Sequence, residues 1–212
     1  MKVSDTGILT IISGFSGVGK GTLVKKLLEN YDNYALSISA TTRQMRVGEK
    51  DGESYFFLSK EEFENRIEKN DFLEYANYVG NYYGTPKSYV VEQLKQGKDV
   101  LLEIEIQGAM QVKKLMPEAL TIFVMPPSAD TLKDRLVGRG TEKKEVIEAR
   151  LGRAVEESQG IENYDYILVN DDLEESTKRL NELISLAHDA SFRNYNFINK
   201  IREELKVFRK EI

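Results

Sequence analysis

The chain has 212 residues with a net charge of −5, 41% hydrophobic and 31% charged residues, ordinary values for one large globular unit with a sizeable core. The acidic balance makes no general case for a nucleic-acid partner, so any anion site must come from local basic clusters, and the absence of cysteine excludes disulfides, thiolate metal sites and cysteine nucleophiles. No segment approaches the ~20 apolar residues of a membrane span, and the expectation is a soluble cytoplasmic protein with no membrane partner.

Four short runs rich in Ile, Leu and Val, at residues 8–12, 100–106, 121–125 and 166–169, read as buried strands separated by helical patterns. That order is the signature of an α/β fold, a parallel sheet with helices on both faces. The first run leads into "SGFSGVGKGT", where Gly14, Phe15, Ser16, Gly17, Val18, Gly19 and Lys20 complete the spacing G-x-x-x-x-G-K. Glycines let the backbone N–H groups of such a loop turn inward around an anion, and the helix N-terminus that follows adds a favourable dipole. Lys20 then lies against the β- and γ-phosphates of a nucleotide. The bland alternative is a glycine turn with a chance lysine. The strand before the loop and the amphipathic helix after it, striped by Leu23, Val24, Leu27 and Leu28, argue against that. The position after the lysine usually carries Ser or Thr for magnesium; here it is Gly21, followed by Thr22. Mg2+ is expected mainly on the nucleotide phosphates and water, with Thr22 a candidate ligand.

Residues 37–97 differ from the rest, being rich in Tyr, Phe and Asn, and read as an insertion into the α/β core. One helix there opens with a capping box, Ser59 and Glu62, and turns Phe63 and Ile67 inward. A second opens at Thr85-Pro86, read as a cap followed by proline at the first helical position, and stops at Gly97. Glu103 and Glu105 alternate along the next strand and so share one face. After Pro126-Pro127 a helix starts near Ser128 and ends at Gly138; another spans about 142–158, with Val146, Ile147, Leu151 and Val155 on one side. From Leu180 onward the pattern is helical, with a break around 191–196. Ile198, Ile201, Leu205, Phe208 and Ile212 suit packing on the parent domain, the favoured reading, or a helix–helix interface, so the chain is a monomer or homodimer. The single histidine, His188, reads as a partly exposed helix residue with no chemical partner.

A phosphate loop alone leaves ATPase, GTPase, kinase and transporter subunit open. No N-K-x-D guanine signature of a GTPase and no transporter signature is present, but arginines recur: Arg43 and Arg46 in "TTRQMR", Arg135 and Arg139 in "DRLVGRG", Arg150 and Arg153 in "EARLGR". Guanidinium forks suit the dispersed negative charge of phosphoryl transfer. Arg135 and Arg139 flank a glycine-bounded turn, as expected of a mobile lid, whereas Arg153 reads as a solvated helix face. No general base is needed if the acceptor is a phosphate monoester, since a second pKa of about 6 leaves its oxygen largely ionised at pH 7. This points to a nucleoside monophosphate.

The ordered segments "SGFSGVGKGT", "SISATTRQMRVGEKDGESYFF", "FLEYANYVGNYYGTP", "LLEIEIQG", "RLVGRGTE" and "VNDD" resemble bacterial guanylate kinases over roughly residues 7–172. The resemblance implies a P-loop NTPase three-layer fold: a core of residues 1–36 and 98–212, a small helical lid at about 137–157, and an α+β GMP-binding insertion at 37–97. It implies ATP and GMP as partners, Mg2+ as cofactor, transfer giving ADP and GDP, and dGMP as a further acceptor. Lys20, Arg43, Arg135, Arg139 and Arg150 become the catalytic set. The ATP site comprises the loop from Gly14 to Thr22 together with Asn170 and Asp171. Arg43, Arg46, Tyr55 and Tyr83 match the clamp on the GMP phosphate, and Glu49 joins the GMP set. Ser39 and Thr85 match the guanine O6 edge, Thr85 keeping its reading as a cap beside that role. Glu74 matches the carboxylate that accepts from guanine N1–H and the 2-amino group, a donor pair adenine lacks. Glu103 and Glu105 stand where the family often has aspartate; Glu105 is expected at the base, Glu103 near arginine or metal-bound water. Two rivals remain open, a silent guanylate-kinase-like module that binds phosphopeptides and a kinase for another small phosphate acceptor such as a ribose bisphosphate.

Overall fold

The computed structural model describes residues 6–78, 80–138 and 144–210. Its centre is a five-stranded sheet, all pairs parallel, in the order β2-β7-β1-β8-β9. Strands β1 (Leu9–Gly14), β7 (Asp99–Glu103), β8 (Leu120–Met125) and β9 (Tyr166–Val169) arise from the four apolar runs, and β2 (Tyr34–Leu36) adds one edge. Leu9, Thr10, Ile11 and Ile12 are all buried, as they must be in a strand covered on both faces. Helix α1 (Lys20–Asn30) seats Leu23, Val24 and Leu27 in the core, and α7 (Leu173–Ala187) packs against it and against β9.

A second, four-stranded sheet has the order β4-β3-β6-β5, from β3 (Ala40–Thr41), β4 (Phe56–Phe57), β5 (Phe72–Tyr78) and β6 (Asn81–Pro86). Its own cluster is small: Ala40, Phe63 and Phe72 are buried, with Phe56, Leu58, Ile67 and Tyr82 around them, while Leu73 of β5 reaches into the main core. Helix α2 (Lys60–Glu68) carries the expected capping box, Ser59 Oγ accepting from Glu62 N while Glu62 accepts from Ser59 N. Helix α3 (Lys87–Lys95) leads back, and its Val90 sits in the main core.

Several expectations are corrected. Thr85 is the penultimate residue of β6, not a cap: α3 starts after Pro86 with no side-chain cap, because the Thr85 hydroxyl is engaged elsewhere. The run at 100–106 stops being a strand at Glu103, and Glu105 is the N-cap of α4 (Ile106–Leu115), whose Ala109 and Val112 are buried. The two glutamates therefore do not share a strand face. In α6 (Lys144–Glu157) the inward face is Ile147, Leu151 and Ala154, while Val146 and Val155 are exposed. His188 has a partner after all: its Nε2 is 2.9 Å from Oδ1 of buried Asp99, which also accepts from Ile8 N.

The C-terminal pattern breaks as expected, with a 3-10 turn at Ser191–Asn194 between α7 and α8 (Tyr195–Leu205). Docking of α8 on its own domain is not found. None of its residues is buried, and Tyr195, Phe197, Ile201 and Leu205 are exposed. Arg139 lies outside the described residues. Among those described, no helix is long and apolar enough to cross a membrane.

Candidate active site

The loop between β1 and α1 takes its shape from glycine. Gly14 has φ 155° and a Cβ there would stand 2.3 Å from the Val124 carbonyl oxygen; Gly19, the residue before α1, has φ 97° and lies under the Asn170 side chain. Phe15 points away from the loop into the core, edge-on to Phe123 at 5.1 Å, and Val18 is buried. Lys20 Nζ folds back onto the carbonyls of Gly14 at 2.7 Å and Phe15 at 3.2 Å. A phosphate offers a stronger, charged acceptor for the same ammonium.

Lys20, Gly14 and Ser16 line a cavity of about 460 Å3 with Glu105, Val146, Ala149, Arg150, Arg153 and Glu157. One wall is the phosphate loop and the other is α6, so the expected Arg150 is brought to Lys20 across a cleft. Glu103, at the end of β7, lies against the start of α1: a Cβ on Gly21 would be 3.7 Å from its Oε2. Desolvation in the cleft pushes the Glu103 carboxyl above its ordinary range, opposed by the Lys20 ammonium. Thr22 is exposed on the first turn of α1.

Arg135, on α5 (Ala129–Gly138), donates to the carbonyls of Val18 at 3.2 Å, Asn170 at 2.8 Å and Asp171 at 3.5 Å. The Asn170 amide donates to Val18 at 2.9 Å. The expected ATP-site residues Asn170 and Asp171 are thus tied to the loop by Arg135.

On the small sheet, Arg43 meets Glu49 in a two-pronged bridge of 3.0 and 2.8 Å, its guanidinium 5.3 Å from the Tyr55 ring centre. Tyr83 stands edge-on to Tyr55 at 6.2 Å. The Arg43 bond, then that from the Arg46 backbone at 2.8 Å, holds the Glu49 carboxyl below its ordinary range. Ser39 precedes β3, and the Arg46 residue is exposed. Arg43, Glu49, Tyr55 and Tyr83 therefore form one cluster, with Arg46 contributing its backbone.

Glu74, on β5, accepts a 2.7 Å bond from the Thr85 hydroxyl. Burial pushes its carboxyl up, against the pull of Thr85. The start of α4 closes over it, since a Cβ on Gly108 would lie 3.3 Å from Glu74 Oε2. Gly108, Arg153 and Glu157 went unnoticed or were set aside in the sequence. A signal for the first existed in the helical spacing of Ile106, Ala109 and Val112, with a small residue between. Glu105, expected at the base, bridges Arg153 at 2.5 Å.

The "Guanylate kinase" family model matches residues 7–187. The chain is 52% identical over 200 residues to a guanylate kinase of Clostridioides difficile (strain 630), covering 94% of this chain and 98% of that protein. It is 49% identical over 184 residues to one of Lactococcus lactis subsp. lactis (strain IL1403), covering 87% and 90%. The crystal structure of guanylate kinase from Anaplasma phagocytophilum superposes with a TM-score of 0.68 at 33% identity, covering 89% of each chain. With this model match over most of the chain and relatives about half identical over nearly their whole length, the chain belongs to the guanylate kinase family.

Proposed function

We propose that the protein transfers the γ-phosphoryl group of ATP to GMP, giving ADP and GDP, through the residues just described. The observation that carries the acceptor's identity is Glu74, a carboxylate oriented by Thr85 and roofed by Gly108. Guanine offers it two adjacent N–H donors; adenine would leave the charge buried and unpaired, a loss of about 10⁴-fold or more in comparable sites.

The acceptor phosphate exchanges with Glu49 for the fork of Arg43, beside the hydroxyls of Tyr55 and Tyr83, with Arg46 at the rim. Ser39 meets the O6 edge, and Thr85 stands beside it with its hydroxyl proton given to Glu74. On the donor side, Lys20 leaves the Gly14 and Phe15 carbonyls for the β- and γ-phosphates, and Arg150 neutralises the group in flight from the lid. Arg135, Asn170 and Asp171 frame the donor nucleotide, and Arg139 completes the lid set. No side chain removes a proton, because the attacking oxygen is already ionised.

Among the described residues no cluster of three or more His, Asp or Glu could hold a metal ion alone. Glu103, whose carboxylate lies 3.7 Å from the Cβ position of Gly21, would hold Mg2+ that arrives on ATP and keeps most of its water, with Thr22 at the next position a further candidate. Such an ion, when bound, neutralises the β,γ oxygens. The division into a core of 1–36 and 98–212, a lid and an acceptor insertion is part of this reading, as are dGMP as an acceptor and a cytoplasmic setting where both substrates are found.

The test is ADP release from ATP and Mg2+ with GMP, AMP, CMP and UMP supplied separately. Release with GMP alone is expected. A folded protein that binds GMP but releases no ADP would convert the reading to a binding module.

A further inference from the structure

Arg153 lines the same cavity as Lys20 and Arg150, although its sequence context suggests only a solvated helix face. It sits between two carboxylates. One Nη is 2.5 Å from Glu105 Oε2, and Nε is 3.2 Å from Glu157 Oε1. Glu157 is one turn further along α6, while Glu105 stands at the start of α4 on the far side of the cleft. The bridge to Glu105 therefore joins the lid helix to the wall that also carries Gly108 over Glu74.

Other features make this junction more than a chance surface pair. Helix α6 has no fully buried residue, only the partly buried Ile147, Leu151 and Ala154 against the core, so polar links weigh more in deciding its position. Glu157 is largely covered, at 16% side-chain exposure, and its Oε2 is buried without a hydrogen-bond partner. Burial pushes this carboxyl up, Arg153 opposes it, and Glu105 adds to it. An unpaired buried carboxylate oxygen holds its neighbouring guanidinium strongly, because releasing Arg153 would strip Glu157 of its compensating charge. Finally, Arg150 and Arg153 are three residues apart and face the same cavity, so fixing one orients the other.

We propose that Arg153 is a positioning residue: held by Glu157 and bridged to Glu105, it sets α6 across the cleft so that Arg150 stands over the phosphates of the donor. The bridge ties the lid to the α4 wall of the acceptor pocket, so lid position depends on that wall. The Arg153–Glu105 pair is exposed on both sides and alone would achieve little in water; the largely covered Glu157 behind Arg153 supplies the rigidity. This inference rests on the kinase reading of the same site.

The experiment measures kcat and both KM values with ATP and GMP for wild type, R153M, R153K, E105Q and the R153M/E105Q double variant. Arg153→Met is expected to lower kcat about tenfold, with KM for GMP changed less than twofold and the melting temperature of the empty protein lowered, since Glu157 loses its compensating charge. Arg153→Lys, which keeps the charge but not the fork, recovers part of the loss. In the Glu105→Gln background Arg153→Met should cost less than twofold, since the bridge is already gone. Two results overturn the proposal: wild-type kcat in R153M, or the same tenfold loss in both backgrounds. The wild-type rate with GMP tests the kinase reading itself, so failure of that reading is seen separately from failure of the positioning role.

Discussion

The two sheets of this protein are built on different physics. The parallel sheet is covered on both faces and shares one continuous core with α1, α3, α4 and α7, in which Ile11, Ile12, Leu101 and Phe123 are fully enclosed. The small sheet relies on an aromatic stack: Phe63 lies 4.3 Å from Phe72 and 5.1 Å from Tyr82, nearly parallel to both, with few other buried side chains. The phosphate loop is anchored in the first and the Glu74 pocket in the second. The difference teaches where rigidity is needed. A backbone anion nest tolerates little movement, whereas the side-chain pocket around Glu74 stands on a thinner platform.

The sharpest test of the rigid half is Lys20→Ala. It should lower kcat by about 10³-fold while leaving the fold intact, as loss of a charge-stabilising donor does. Near-normal turnover would remove the loop from the chemistry. Phe63→Ala attacks the thin half and should destabilise it by roughly 3–5 kcal/mol. If the two sheets are independent in stability, calorimetry will show GMP binding abolished and ATP binding retained; equal loss of both would break the comparison.

Glu74→Gln should weaken GMP binding by about 10²-fold or more, with ATP binding unaffected. It also has a pH signature. The folded carboxyl is raised by burial, so the folded state holds its proton more tightly than the unfolded chain, and wild-type stability falls as pH rises from about 4 through the folded pKa. Glutamine escapes that penalty. The variant should melt higher than wild type at pH 7 and lose the advantage near pH 4; an advantage that persists at pH 4 would refute the burial argument. The smallest effect is expected from truncation after Asn194. Helix α8 buries nothing, so turnover should stay within about twofold and stability within about 0.5 kcal/mol. A larger drop in melting temperature would show that α8 is held by something, either its own domain or a second copy.

Much of the rigid half was legible in the sequence, as was one helix start in the thin half. Strand runs, the glycine spacing around Lys20 and the capping box at Ser59 and Glu62 are local patterns whose physics acts within a few residues, and each appears where the residues imply it. The match of ordered motifs to the guanylate kinases was legible for the same reason. Strand β7 was overextended because Ile104 and Ile106 continue its apolar run, and periodicity over so few residues does not separate a strand from the start of a helix.

Tertiary structure decided the rest. Thr85 carries the local signature of a cap, yet its hydroxyl goes to Glu74 because β5 and β6 bring the two side by side. Arg153 looks like any solvated arginine until α4 places Glu105 opposite it, 48 residues away along the chain. The apolar stripe of α8 states what could be buried but not against what, and here it is left uncovered. By itself the sequence determined the elements, the phosphate loop and the family. Which charges face one another across the cleft was settled only by folding, because a charge's partner depends on distance in space and the chain's local pattern carries no record of it.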